Sequence, residues 1–322
     1  MKVLVIRFSS IGDIVLTSPV VRCLKKQLNA EVHYFTKMNF KDVLVNNPYI
    51  DKLHFLSDDF NADVKALKAE KYDYIIDLHH NLRTLRFKQS LGVTVFSFNK
   101  LNFEKWMLVN LKWNRMPNIH IVDRYIASAE KLGLKNDEAG LDYFLSENDK
   151  VEIKSLPTFL YNGYVGLVIG AQHATKRLPL EKLQELCQKI TKPIILMGGK
   201  EDATIADELV KIDSNRIFSA CGKFKLNESA SLVQQAESII SHDTGLMHIA
   251  SAFKKEVYAV WGNTVPEFGM YPYKTEHHNF EVKDLACRPC SKIGHQTCPK
   301  NHFNCMNNQN IDLLAQMINK SI

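Results

Sequence analysis

The first half of the chain alternates short apolar runs with longer stretches of helical periodicity. The stretch from residue 14 to 28 repeats its apolar side chains at helical spacing, and Pro19 is tolerated because it falls near the first turn. Strand, helix and strand in this order predict βαβ units and a parallel sheet. The predicted strands are residues 3–6, 31–35, 74–78 and 93–98.

The same alternation restarts after an interruption at residues 155–162, which contains Pro157 and precedes Gly163. We therefore predict an α/β protein of two Rossmann-like domains, residues 1–157 and 158–322, whose parallel sheets face a central cleft. A last helix over residues 311–321 is expected to pack back on the first domain. The other predicted elements are strands at 164–169, 193–197, 238–241 and 257–261 and helices at 180–190, 203–211 and 246–253.

Composition narrows the class of protein without identifying it. Of 322 residues, 45% are hydrophobic and 24% are charged, which is typical of a globular protein. The formal net charge of +6 is too small to indicate nucleic-acid binding, but it suits an acidic substrate or an anionic membrane surface. The apolar runs are too short for a signal peptide or a membrane span, so we expect a cytoplasmic protein.

The loop after the first predicted strand, Arg7-Phe-Ser-Ser-Ile-Gly-Asp13, offers a carboxylate at the expected cleft. Gly12 permits a tight turn, and an ionised Asp13 can accept a proton from a sugar hydroxyl. Asp13 is equally interpreted as an acid that stabilises the first helical turn. The loop lacks the pattern G-x-G-x-x-G, which argues against dinucleotide binding.

The block of residues 241–250, Ser-His-Asp-Thr-Gly-Leu-Met-His-Ile-Ala, joins a predicted strand to a predicted helix. Its Asp-Thr-Gly turn leaves backbone N–H groups free at a helix N-terminus, which is an anion site suited to a pyrophosphate. The alternative interpretation is a capped helix in which Asp243 is the cap.

Two further loops of the second half carry charged residues after a predicted strand. Lys176 and Arg177 can neutralise the charge on a departing phosphate, or they are an ordinary solvated pair. Beyond Gly198-Gly199, an acid at Glu201 or Asp202 can bind a ribose hydroxyl. An anion site, a cation, a diol-binding acid and a carboxylate are the groups that sugar transfer from a nucleotide donor requires.

These blocks, in this order, resemble glycosyltransferase family 9, the ADP-heptose:lipopolysaccharide heptosyltransferases. The resemblance is strongest at the start, Ser-Ser-Ile-Gly-Asp-Ile-Val-Leu-Thr-Ser-Pro, and at the 241–250 block. It implies a GT-B fold and an inverting, metal-independent transfer of heptose from ADP-heptose to a Kdo or heptose of the lipopolysaccharide inner core. The lack of an Asp-x-Asp motif agrees with metal independence, and Asp58-Asp59 is interpreted as a surface turn.

The resemblance also implies roles for particular residues. Asp13 is the expected general base, and Lys176 is expected to contact the donor phosphate. Asp243 is expected to contact the donor sugar, and the nucleobase of the donor is expected near Phe224 or Leu226. The nucleotide-sugar residues are then Ser10, Gly12, Gly170, Lys176, Glu201, Asp202, Phe224, Asp243, Thr244, Gly245 and His248.

The acceptor is expected on the first domain, where basic residues follow the third predicted strand. A lipid-linked anionic saccharide would suit Arg83, Arg86 and His120. The amphipathic segment 101–111 either touches the inner membrane surface or packs in the core, and its pattern favours the core.

Four cysteines, Cys287, Cys290, Cys298 and Cys305, have the spacing C-x2-C-x7-C-x6-C. Four thiolates at such spacing fit a structural zinc site, and iron–sulfur ligation also fits them. The alternative is a set of reduced thiols in a loop-rich segment. No metal is expected in the transfer step.

Other functions remain compatible with the same residues. One is a GT-B transferase with a different nucleotide sugar or acceptor. A second is a nucleotide-sugar epimerase of similar architecture, and a third is a nucleotide-binding scaffold without activity.

Overall fold

The computed structural model describes residues Met1–Lys320 and divides them into two compact units. The first unit consists of residues 1–100 and 119–144, and the second of residues 101–118 and the chain from Leu145 onwards. The predicted boundary at residue 157 therefore differs from the observed one. Residues 145–157 belong to the second unit because they bond to one of its helices; the Val151 N–H, for example, donates to Ser231 Oγ at 3.0 Å.

The first unit contains a parallel five-stranded sheet in the order β3-β2-β1-β4-β5. Its central strand β1 is buried apart from Lys2, and the continuous apolar run is typical of a parallel strand covered on both faces. The strands are β1 (Lys2–Ile6), β2 (Glu31–Lys37), β3 (Lys52–Leu56), β4 (Tyr74–Asp77) and β5 (Thr94–Ser97).

The helices up to residue 144 cover this sheet, except that α6 belongs to the second unit. They are α1 (Ile11–Val15), α2 (Ser18–Leu28), α3 (Lys41–Leu44), α4 (Phe60–Ala69), α5 (Leu82–Leu91), α6 (Asn102–Asn110) and α7 (Ile121–Ser128). The single helix predicted over residues 14–28 is in fact two. Pro19 lies in the first turn of α2, where its missing N–H leaves no helical hydrogen bond unmade.

The second unit contains a parallel six-stranded sheet in the order β11-β10-β9-β6-β7-β8. Its strands are β6 (Val165–Val168), β7 (Ile194–Met197), β8 (Ile217–Ser219), β9 (Ser238–His242), β10 (Glu256–Trp261) and β11 (His277–Glu281). Its later helices are α8 (Leu180–Lys189), α9 (Ala203–Val210), α10 (Leu226–Gln235), α11 (Gly245–Ala252), α12 (Asn304–Asn307) and α13 (Ile311–Lys320). Both sheets thus have the Rossmann order, as the sequence predicted.

The last helix, α13, packs on α8 inside the second unit. Its apolar face, including Leu314 and Ile318, is buried in that unit's core, so the expectation that it returns to the first domain is wrong. The predicted helix extended to Ser321, which lies outside the described residues. From Met1 to Lys320, no helix is both long and apolar enough to cross a bilayer.

Candidate active site

Each sheet reverses its strand order beside its first strand. In the first unit β1 lies between β2 and β4, and in the second β6 lies between β7 and β9. Loops that leave the carboxyl ends of two strands at such a reversal diverge and leave a crevice, which is where open α/β sheets bind ligands. The loops after β1 and β4 therefore define a candidate site in the first unit, and the loops after β6 and β9 define one in the second.

Asp13 lies in the loop and first helix turn after β1, and its carboxylate is held on both oxygens. Arg7 Nη2 lies 2.6 Å from Asp13 Oδ1. The Ser10 hydroxyl donates to Asp13 Oδ2 at 2.7 Å, and the Ser10 backbone N–H donates to the same oxygen at 3.1 Å. Asp13 therefore stabilises the first turn of α1, as one of the two sequence interpretations predicted, and its side chain remains 20% exposed.

Arg7 is the residue of this site that the sequence analysis missed. Its side chain is only 10% exposed, and its Nε donates to the Ser9 carbonyl at 2.7 Å. Its Nη1 donates to the Leu78 carbonyl at 2.5 Å and to the Tyr125 hydroxyl at 3.2 Å. A guanidinium fixed by these neutral partners forms a charge-assisted contact with Asp13 and holds that carboxylate in one orientation. The position of Arg7 directly after an apolar strand was the feature of the sequence that could have identified it as a residue of this site.

The loop after β4 is built around Asp77, which is fully buried. Asp77 accepts from the backbone N–H groups of His79 and His80, and it forms an ion pair with Lys88 at 2.8 Å. Burial, and then the nearby charges of Arg7 and Lys100, lower the pKa of His79 to about 4. His79 is therefore neutral at physiological pH, and its buried Nδ1 has no hydrogen-bond partner within the described chain.

The three basic residues predicted to bind the acceptor occupy different environments. Arg83 is exposed on α5, and the guanidinium of Arg86 lies 4.5 Å from the ring centre of Phe60. His120 is only 2% exposed, and its Nδ1 accepts from the Val122 N–H at 3.2 Å as the cap of α7. The prediction that His120 faces an acceptor needs correction, because its ring is committed to a buried helix start.

In the second unit, the loops after β6 and β9 meet through an ion pair. Lys176 Nζ lies 2.5 Å from Asp243 Oδ2, and the same carboxylate oxygen accepts from the Thr264 hydroxyl at 3.1 Å. Both charged side chains are mostly buried, at 15% and 13% exposure. Asp243 is therefore the partner of Lys176 rather than a helix cap. The three N–H groups of a lysine ammonium leave donors for a phosphate as well.

The N-terminus of α11 lies next to this pair. The Thr244 side chain does not cap the helix but lies 3.1 Å from the Ser241 hydroxyl. The first N–H groups of the helix, beginning at Gly245, thus have no side-chain acceptor from Thr244, as the anion-site prediction requires. His248 of the predicted set is 2% exposed on the same helix.

Two acids that the sequence left as alternatives are separated by the structure. Asp202 is 2% exposed; it pairs with Arg177 at 3.0 Å and accepts from the Gly199 N–H at 2.9 Å. A Cβ at Gly170 would lie 2.2 Å from the Asp202 carboxylate, so glycine is needed there for the loop to close. Glu201 is exposed, which leaves it as the acid that a ligand can reach.

Arg177 turns away from Lys176, because its Nε also donates to the Ala171 carbonyl at 2.6 Å. Of the two adjacent cations, Lys176 is therefore the one at the anion site. Phe224 is partly buried in the turn before α10, and Leu226 is the first residue of that helix.

Asp59, in the predicted surface turn, has a structural role. Asp59 caps α4 by accepting from the N–H groups of Asn61 and Ala62 at 2.9 and 3.0 Å. This agrees with the surface turn that the sequence predicted at Asp58-Asp59.

The segment around α6 is more exposed than the sequence predicted. Leu108 packs against Val265 and Phe268, but Phe103 is 67% and Trp106 51% exposed, and their rings stack. Trp113 is 62% exposed further along. Only one side of the segment packs into the core. The prediction that residues 101–111 pack in the core is therefore correct for that side alone.

Two Rossmann-ordered units, one with a carboxylate held by Arg7 and Ser10 and one with Lys176 beside a helix N-terminus, are the components expected of a GT-B fold. Solved structures agree with this fold. This chain superposes on a glycosyl transferase family 9 protein from Veillonella parvula with a TM-score of 0.76 and 21% identity. The superposition covers 99% of this chain and 95% of that protein. The TM-score is 0.70 at 19% identity, over the whole of both chains, for the E. coli heptosyltransferase WaaC with ADP-2-deoxy-2-fluoro heptose.

Sequence comparison identifies the family. The profile of glycosyltransferase family 9 (heptosyltransferase) matches residues 62–300. Lipopolysaccharide heptosyltransferase 1 of Campylobacter coli is 25% identical over 295 residues, which are 82% of this chain and 84% of the relative. The chain belongs to glycosyltransferase family 9 and is an enzyme of the glycosyltransferase class.

Proposed function

We propose that this protein transfers a heptose from ADP-heptose to the inner core of lipopolysaccharide, with a Kdo or heptose hydroxyl as the acceptor. The observation that carries the proposal is the Lys176–Asp243 pair beside the N-terminus of α11. It offers a fixed cation and free backbone N–H groups to a diphosphate. The relative from Campylobacter coli is named as a lipopolysaccharide heptosyltransferase, and WaaC was solved with an ADP-heptose analogue, which supports this donor and acceptor.

The proposed reaction is one displacement at the anomeric carbon. The acceptor oxygen forms its bond to that carbon while the bond to the diphosphate oxygen breaks, so the configuration inverts. The acceptor proton goes to the Asp13 carboxylate, which Arg7 and Ser10 orient. The electron pair leaves with ADP, whose additional negative charge is stabilised by Lys176 and the N–H groups of α11.

The remaining donor contacts follow from exposure and position. We assign Glu201 to the ribose, because Asp202 is occupied by Arg177. Asp243 is assigned to the sugar hydroxyls, and Phe224 to the edge of the base. Thr244 and Gly245 hold the pyrophosphate.

The acceptor carries acidic groups, for which an arginine offers paired N–H donors. We assign Arg83 and Arg86 to that role, since both lie on the exposed face of α5. His120 has no part in it, because its ring caps α7.

A lipid-linked acceptor implies that the enzyme binds it at a membrane surface. We propose that the enzyme is cytoplasmic and touches the inner membrane through the exposed aromatic residues Phe103, Trp106 and Trp113. Aromatic rings flanked by Lys105, Lys112 and Arg115 are suited to an interface with anionic lipid.

No metal is assigned to the transfer step, because Lys176 and the start of α11 supply the positive charge at the leaving group. Zinc is assigned a structural role at Cys287, Cys290, Cys298 and Cys305, which line one small internal pocket. Four sulfur ligands fill a tetrahedral zinc site and leave no position open for substrate.

The test is incubation with ADP-heptose, with and without Kdo2-lipid A, in buffer without added divalent cations. We expect release of ADP and a mass gain of one heptose on the lipid only when both substrates are present. Inversion is read from the anomeric configuration of the product by NMR. Conversion of the sugar nucleotide without acceptor would instead establish an epimerase, and ADP binding without turnover would establish a scaffold.

A further inference from the structure

Residues 287–305, called the cysteine strap below, place all four of their thiols around one enclosed pocket. Cys287, Cys290, Cys298 and Cys305 line it together with His302, whose Nε2 lies 3.7 Å from Cys287 Sγ. Zinc–sulfur bonds of about 2.3 Å place the sulfurs of a tetrahedral site about 3.8 Å apart. Within residues 1–320, the groups with three ligand atoms inside 4.8 Å of one another contain no cysteine. The strap therefore has the ligands but must contract slightly around an ion.

The donor set of the pocket suits a soft cation. Among the described residues, its lining offers four sulfurs and the imidazole of His302 but no carboxylate. Thiolate and imidazole are ligands that zinc binds well, whereas magnesium and calcium prefer oxygen ligands.

The strap is bonded directly to the loop that carries Lys176. The Thr175 N–H donates to the His295 carbonyl at 3.1 Å, and the His295 N–H donates to the Thr175 hydroxyl at 2.8 Å. Gly294 passes so close to His173 that a Cβ there would lie 2.5 Å from the His173 Cβ. The residue directly before Lys176 is thus held by the strap as well as by Asn263, which follows β10.

A second attachment reaches Asp243. Arg288, whose side chain is 7% exposed, donates to the carbonyls of Gly262 and Thr264 at 2.7 and 2.9 Å. The hydroxyl of the same Thr264 donates to Asp243 Oδ2 at 3.1 Å. Both members of the Lys176–Asp243 pair are therefore one residue or one hydrogen bond away from a residue that the strap holds.

We infer that zinc bound by the four strap cysteines braces the Lys176–Asp243 pair, so that affinity for the nucleotide depends on the metal. Zinc displaces the thiol protons and closes the strap, and its two attachments then fix the loops after β6 and β9. The four thiolates fill the coordination sphere, so the ion has no contact with substrate. The inference rests on the proposed function of the pair as the diphosphate site.

The experiment combines metal content with binding of ADP to the full chain. Wild-type protein is expected to contain about one zinc per chain. Removal of zinc by a chelator is expected to weaken ADP binding about 10-fold or more in calorimetry, and added zinc is expected to restore it. Circular dichroism before and after chelation checks that the chain stays folded.

Two variants locate the effect. Cys290→Ser should lose zinc and bind ADP as weakly as the chelated protein. Cys187→Ala is the matched control, because Cys187 is a buried thiol of α8 in the same unit but outside the strap. It should keep both zinc and ADP affinity.

Lys176→Ala separates this inference from the proposed function. If Lys176→Ala weakens ADP binding but removal of zinc does not, the brace is wrong and the diphosphate site stands. If ADP affinity is unchanged in Lys176→Ala, the assignment of the pair itself is wrong. Wild-type protein with less than about 0.1 equivalent of metal overturns the zinc site.

Discussion

Lys176 Nζ and Asp243 Oδ2 lie 2.5 Å apart although 67 residues separate them in the chain. They meet because β6 and β9 are neighbours in the sheet and both loops start at its carboxyl edge. The pair is the polar centre of the site that we assign to the donor diphosphate.

The first prediction concerns this pair. We expect Lys176→Ala to lower kcat/KM about 100-fold, because the departing diphosphate loses its fixed cation. Asp243→Asn should cost less, since Lys176 keeps its charge. Steady-state kinetics of both single variants and the double variant measure the coupling. Because the two groups interact, the double variant should lose less than the sum of the two single losses, and additive losses would contradict the pairing.

The second prediction separates two neighbouring acids. Asp202→Asn should lower the free energy of unfolding by about 2 kcal/mol, because it leaves the partly buried Arg177 without its partner. Glu201→Gln should change stability by less than about 0.5 kcal/mol but weaken ADP binding. Urea unfolding and calorimetry measure the two effects. Unchanged ADP affinity in Glu201→Gln would remove it from the ribose site.

The third prediction concerns the membrane. Trp106→Ser and Trp113→Ser together should reduce co-sedimentation with vesicles that contain anionic phospholipid, because both indoles are largely exposed. Folding should be unaffected for the same reason. Trp261→Phe is a control that removes a fully buried indole. Equal sedimentation of the double variant and the wild-type protein would contradict the proposed surface.

The fourth prediction is a pH dependence of stability. Burial is the main cause that lowers the pKa of His242 from 6.5 to about 4, and its Nε2 accepts from the Leu178 N–H at 2.9 Å. Between these values the unfolded chain binds more protons than the folded one. Stability therefore rises with pH in this window and is lost as the pH falls from 6.5 towards 4.

His242→Gln should reduce that dependence, since glutamine can still accept from Leu178 but does not titrate. His79 and His54, whose pKa values are also lowered to about 4, keep their contributions. Urea midpoints at pH 7 and pH 5 measure the difference. His277→Gln, on the partly exposed strand β11, is the control and should behave as the wild-type protein does. An equal loss of stability in His242→Gln would show that His242 does not carry the effect.

The apolar runs predicted the central strands of both parallel sheets, because these strands are buried and read as continuous apolar segments. They did not predict β3, β8 and β11, which lie towards the sheet edges and have shorter or more polar sequences. The division of the first helix into α1 and α2 was not predicted. Residues 11–28 keep one apolar periodicity across the turn that separates the two helices. The last helix was placed with the wrong unit. Its apolar face fits either core equally well in sequence, and only packing on α8 decides between them.

In the candidate site, too, some features were predictable from the sequence and others were not. Loops at strand ends were predictable, and Asp13, Lys176 and Asp243 were all named from them. Their partners were not, because the direction of each side chain and the contacts that it makes cannot be read from one sequence. Arg7 was therefore missed, and His120 was expected at an acceptor surface although its ring caps α7.

The most direct measurement is the transfer rate of Asp13→Asn together with its affinity for ADP. We expect kcat to fall about 1,000-fold while the Kd for ADP stays within a few-fold of wild type. The substitution removes the general base that accepts the acceptor's proton but leaves the donor site unchanged. Melting temperature confirms that the loop around Arg7 still folds. Turnover within about tenfold of wild type would contradict the role of Asp13 as the base.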